Sequence, residues 1–158
     1  MLSAVLFGGV VMLGLNLTPN KSATPADVTP GTKPLSDGTP MGFLAVSDFG
    51  QARAFYEGVL GLTVFSQDDY ALVLRSGSTL IRLTRPEKLF VAPYTVFGWQ
   101  VVNIDDKVFN LTAAGITFEL YEALGAAQTP HGVWTAPSGD KVAWFKDPDG
   151  NLLSLSQH

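Results

Sequence analysis

Apolar positions begin to recur in a regular order near Met41. Phe43 to Val46 is a short apolar run and predicts a strand. Ser47 and Asp48 follow as N-cap residues. Phe49, Ala52, Tyr56, Val59 and Leu60 then recur at helical spacing, the buried stripe of an amphipathic helix, and Gly61 stops it. Leu62 to Phe65, Tyr70 to Leu74 and Thr79 to Thr84 predict three further strands, the last two turned by Ser76-Gly77-Ser78. The order then repeats. Val96 to Val102 reads as a strand; Asn103 or Asp105 caps a helix with Ile104, Val108 and Leu111 inward; Gly115 ends it; Ile116 to Tyr121 reads as a strand. Lys141 to Lys146 and Asn151 to Gln157 form a last pair of strands around Asp147-Pro148-Asp149-Gly150.

The two halves are strand, helix and three strands each, with Gly61-Leu62-Thr63-Val64 and Gly115-Ile116-Thr117-Phe118 in the same place. Residues 41–84 and 96–157 are therefore expected to be two βαβββ modules of one α+β domain over 41–158. A small sheet covers one face with its own helix and needs a partner for the other, which the pairing of modules supplies.

The first 40 residues do not share this pattern. Residues 1–17 are apolar and uncharged, shorter than the ~20 residues of a spanning helix. They read either as an export or anchor segment or as an apolar tail after a mis-chosen start, since no basic residue precedes the run. Residues 18–40, rich in Thr, Pro, Ser and Gly, read as a linker. Membrane attachment is expected only if residues 1–17 act as an anchor. With 46% apolar and 15% charged residues the remainder suits a globular core. A net charge of -4 disfavours a nucleic-acid partner, which would be held by a cationic surface. The absence of cysteine excludes thiol catalysis and Cys-ligated metals.

Three runs carry a family resemblance: Val46-Ser47-Asp48, then Ala54-Phe55-Tyr56 with Leu60-Gly61-Leu62, and finally Phe145-Lys146-Asp147-Pro148-Asp149-Gly150-Asn151. In this order, and with the repeat, the segment 41–157 resembles the vicinal-oxygen-chelate superfamily of glyoxalases, bleomycin-resistance proteins and extradiol dioxygenases. The resemblance implies two sheets curved into a half-open barrel with a ligand in the trough. It also implies a cytoplasmic location, unless residues 1–17 direct export, and a homodimer, for which the apolar loop Leu89 to Tyr94 is the candidate contact.

Metal-using members carry His, Glu or Gln on the first and last strands of each module. Counting seven residues back from Asp48 and Asn103 puts the first-strand positions at Met41 and Val96, and the last-strand positions fall at Arg82 and Ser154. A one-residue slip offers no better donors. The expectation is accordingly no metal site of the family type and no cofactor, although a weak site using His131 or His158 with an Asp stays open. By strand parity the trough would carry Arg82, Gln100, Trp144, Tyr70, Leu72 and Ser154, an apolar and aromatic surface with a few polar groups.

Three functions follow. The first is a binding module for a small organic, anionic molecule paired to Arg82. The second is a metal-independent enzyme with His131 as acid or base and Arg82 stabilising negative charge. The third is a degenerate module whose dimer surface is its role.

Overall fold

The computed structural model describes residue 35 and residues 37–158. The expected segment 1–17 and most of the linker lie outside the described residues. The chain from Thr39 to His158 forms one compact unit.

The first module contains β1 (Met41–Ala45), α1 (Phe49–Arg53), β2 (Thr63–Gln67), β3 (Ala71–Ser76) and β4 (Thr79–Thr84). The second contains β5 (Phe97–Gln100), α2 (Ile104–Ala113), β6 (Trp134–Thr135), β7 (Lys141–Lys146) and β8 (Leu152–Gln157). Each makes a four-stranded sheet, in the orders β1-β4-β3-β2 and β5-β8-β7-β6. In both, the first strand runs parallel to the last and the other pairs are antiparallel.

Local chemistry explains the helices. Asp48 caps α1 by accepting from the Gln51 N–H at 2.8 Å. The expected single helix is in fact one α-turn that widens over Ala54–Val59 into i→i+5 bonding, with the Leu60 N–H donating to the Phe55 carbonyl at 3.0 Å. Asn103 precedes α2 in the left-handed region at φ 60°, and its side chain caps nothing. Instead the Gln157 side-chain carbonyl on β8 accepts from the Ile104 N–H at 2.7 Å. Gly61 and Gly115 follow the helices at φ 74° and 95°, a conformation that costs a Cβ-bearing residue energy.

One expected strand is corrected. Of Ile116 to Tyr121, only Phe118 bridges to Phe145 on β7, with the Glu119 N–H donating to the Trp144 carbonyl at 2.7 Å. The chain then leaves the sheet and returns as β6 beside Val142 and Lys141. The Gln128 amide takes over the bonding a continuous strand would have made. It accepts from the Tyr121 N–H at 2.8 Å and donates to the Glu119 and Gly132 carbonyls at 2.9 and 3.0 Å.

A single core joins the modules. Leu44, Leu72, Leu74, Ile81 and Leu83 from the first sheet cluster with Ala143, Phe145, Leu153 and Leu155 from the second, and both helices contribute to the cluster. Gly42 has no side chain where the Phe97 ring approaches; a Cβ there would lie 2.6 Å from it. Trp99 stacks near Phe145 and donates its indole N–H to Ser76 of the first module at 3.0 Å.

The polar junction is the β7–β8 turn. The Tyr56 hydroxyl, fully buried, donates to Asp147 at 2.8 Å. Asp147 also accepts from the Asn151 backbone and side chain, each at 2.8 Å, and from the Asp149 N–H at 3.0 Å. Asn151 donates back to the Ala45 carbonyl at 2.8 Å, and the Ser47 N–H donates to Asp149 at 3.1 Å. Burial, and then the Asp147 carboxylate, push the Tyr56 phenol far above its ordinary range. Because the folded state holds this proton more tightly, the stabilisation is complete below the unfolded pKa of about 10 and is lost as pH rises beyond it. Of the four tyrosines, Tyr56 should ionise only when the protein unfolds. Absorbance at 295 nm checks this: the alkaline step that coincides with loss of circular dichroism should vanish in Tyr56→Phe. Reversible ionisation of all four tyrosines in the folded protein would contradict it.

Candidate functional site

Strand register decides which side chains share a surface. On the first sheet, Arg82 lies beside Phe43 of β1 and Val73 of β3, with Met41, Leu80 and Thr84 on the same face. The opposite face carries Leu72, Leu74, Ile81 and Leu83, all fully buried in the core. Arg82 thus stands on the outer face of its sheet, half-buried, and forms no ion pair among the described residues. Its charge acts on Asp68. The backbone N–H groups of Tyr70 and Ala71 hold its carboxyl below the usual range, helped slightly by the Arg82 charge.

The outer face of the second sheet is built in the same way. Ser154 pairs with Gly98 and Trp144, and Ser156 with Gln100 and Val142. Trp144 is half-buried and meets Tyr121 edge-on at 5.5 Å between ring centres and Trp134 at 6.0 Å. Beside them Lys146 donates to Glu119 at 2.8 Å, and that carboxylate raises the lysine's pKa. Burial, and then the Glu119 charge, raise the Tyr121 phenol. Tyr121 and Trp134 did not emerge from the sequence because they belong to the interrupted edge strand. Their signal was the aromatic pair flanking an irregular Pro- and Gly-containing stretch.

Two expected trough residues lie elsewhere. Leu72 pairs with Leu83 and points into the core, away from Arg82. Tyr70 precedes β3 in a bend and is 80% exposed. The opposite faces of both sheets join one core, and no hydrogen bond joins Arg82 to Gln100, Trp144 or Ser154 among the described residues. His131 is distant from all of them in kind. It sits exposed in the turn closed by the Gly132 N–H on the Thr129 carbonyl, beside a cleft lined by Val108, Phe109 and Thr112 of α2. One chain therefore does not bring His131 to Arg82 in any described cleft.

The family's metal can be tested against these residues. Met41 and Arg82 share one outer face; Ser154 lies on the other, and Val96, just before β5, packs partly against the core. Thioether, guanidinium, alkyl and hydroxyl groups are a poor donor set for a divalent cation, and a fixed positive charge opposes one. Among the described residues no three His, Asp or Glu groups gather at a metal-binding distance. His158 pairs with Asp140 at 3.2 Å at the surface and has no third partner. The residues present do not fit the group.

The profile of the Glyoxalase/Bleomycin resistance protein/Dioxygenase superfamily matches residues 39–155. The chain belongs to this superfamily. Solved structures agree on the glyoxalase-like fold. A glyoxalase family protein from Bacillus anthracis is 17% identical with a TM-score of 0.62, over 77% of this chain and 94% of that one. Lactoylglutathione lyase from Agrobacterium tumefaciens is 18% identical with a TM-score of 0.61, over 79% and 96%. A bleomycin-binding protein complexed with bleomycin is 20% identical with a TM-score of 0.57, over 76% and 98%. No curated protein matches the chain.

Proposed function

We propose that this glyoxalase-like domain binds a small organic anion at Arg82 without the superfamily's metal chemistry, and that a second copy of the chain completes the site. The observation that carries this reading is a half-buried guanidinium with no ion pair among the described residues, at a strand position for which the family resemblance implies a metal ligand. Arg82 cannot shed its proton, and a carboxylate would satisfy it in bidentate fashion. Gln100, Ser154 and Trp144 face outward from the other sheet. They reach Arg82 when the first module of one copy meets the second module of another. Exposed Phe43, Phe65, Phe90 and Tyr94 give such a pairing apolar surface to bury. The solved bleomycin-binding relative supports the use of this fold for holding a small organic molecule.

The test is a retention screen with a charge series. Wild-type protein passed through a metabolite extract should retain an anionic compound identifiable by mass spectrometry. Arg82→Met should bind that compound about 10-fold or more weakly, and Arg82→Glu should not retain it. Sedimentation equilibrium should give twice the 16.9 kDa of one chain. Undiminished retention by Arg82→Glu, or a stoichiometric divalent metal on the purified protein, would overturn the reading. A mass of one chain across a wide concentration range would remove the shared site.

A further inference from the structure

A second cleft opens where the two modules meet; Arg82 takes no part in it, and Gln100 at its rim also borders the outer face of the second sheet. It has a volume of about 500 Å³, within the range of small-molecule sites. Its floor is Phe145 and Leu155 of the core, and Leu60, Leu62 and Leu111 form apolar walls. Trp99 crosses the module boundary in the wall to donate to Ser76, whose own hydroxyl proton is committed to no protein acceptor among the described residues. Lys107 of α2 and Arg75 of β3 stand at the mouth, with Asn110 and Gln100 supplying amides. The Arg75 guanidinium rests over the Phe65 ring at 4.7 Å. Neither cation has an ion pair among the described residues, and no carboxylate lines the cleft. In a chain of net charge -4, two free cations over an apolar floor select for charge as well as shape.

We propose that this inter-module cleft is a binding site for an amphipathic monocarboxylate, with the hydrocarbon or aryl body on Phe145, Leu155 and Leu111 and the carboxylate held by Lys107 and Arg75. The apolar walls reward burial of the body. The ammonium and guanidinium supply charge-assisted hydrogen bonds at the only polar end. This site is independent of Arg82. Its ligand touches both modules at once, so occupancy also reinforces their contact through the Trp99–Ser76 wall.

Decanoate is a suitable probe for the full-length protein. In ¹⁵N-edited NMR titrations it should shift the Trp99 indole N–H and the backbone amides of Ser76 and Leu111 saturably. Decyltrimethylammonium, with the same tail and the opposite charge, should not. The double variant Arg75→Gln/Lys107→Gln should bind decanoate at least about 10-fold more weakly. Arg75→Lys/Lys107→Arg should retain affinity, and Arg82→Glu should leave it unchanged. Both charge variants alter exposed side chains, and unchanged spectra outside the cleft will verify that they fold. Equal binding of the cationic probe, shifts confined to the outer sheet faces, or full affinity in the double glutamine variant would each overturn the proposal.

Discussion

Asp147→Ala should lower the free energy of unfolding by about 3–5 kcal/mol, a large share of what a domain of this size has. The loss is not that of one hydrogen bond. Asp147 is 5% exposed and collects four donors. Removing it strands the buried Tyr56 hydroxyl and the Asn151 donors in a site without solvent, at about 1–3 kcal/mol for each unsatisfied group. The carboxylate's own desolvation is recovered in part, which keeps the total below a simple sum. The same group links residues 91 positions apart in the chain, so its loss also loosens the contact between modules. Tyr56→Phe removes a single donor and should cost about 1–2 kcal/mol. Asp147→Asn keeps the shape and one acceptor and should fall between the two. Urea denaturation followed by circular dichroism and tryptophan fluorescence will report the midpoints. If Asp147→Ala unfolds within 1 kcal/mol of the wild type, the turn is an ornament of the surface and the modules are held by apolar packing alone.

Leu72→Ala should destabilise the domain by about 2–5 kcal/mol while leaving ligand binding at Arg82 unchanged. Leu72 is fully buried and lies in register with Leu83, with Leu74 and Ile81 beside it. Truncation leaves a cavity in a core shared by both sheets, which has little freedom to collapse. Arg82→Met, on the other face of the same sheet, should change stability by less than about 1 kcal/mol, because a half-exposed cation without an ion pair contributes little to folding. Denaturant melts of the two variants give the comparison directly. A Leu72→Ala protein as stable as the wild type would place Leu72 outside the core and return it to the ligand surface.

The misplacement of Leu72 shows what a pattern can and cannot carry. Ala71, Leu72, Val73 and Leu74 are all buried, so β3 offers no alternation from which to read a face. The expectation that Leu72 shares a face with Trp144 therefore rested on no signal within β3. The registers show that Val73, opposite Arg82, is the counterpart of Trp144, opposite Ser154. That offset is a single residue, and in a strand a single residue reverses every side chain. The alternation of β4 was legible, with Ile81 and Leu83 buried and Leu80, Arg82 and Thr84 not, but that the Arg82 face is an outer one and not a trough shared with the other module was not. The interrupted edge strand was missed for another reason. Apolar residues from Ile116 to Tyr121 satisfy a strand pattern, but Gln128, seven residues beyond Tyr121, supplies the backbone's hydrogen bonds from its side chain. Nothing in the local run signals such a substitute.

The sequence by itself determined the tandem modules, the Asp48 cap, the glycine stops at Gly61 and Gly115, and the tight turn at Asp147 to Gly150. These depend on residues close together in the chain, where backbone propensity, capping and side-chain chemistry act locally. Only the tertiary structure decided that both sheets turn their apolar faces into one core. It also decided that Arg82 and Ser154 end on separate outer faces, and that a cleft with Arg75 and Lys107 at its mouth lies between the modules. The physical reason is that the hydrophobic effect is non-directional. An apolar stripe records that a face must leave water, and the identity of the surface it meets is settled by shape and by a few long-range polar contacts such as Tyr56 to Asp147.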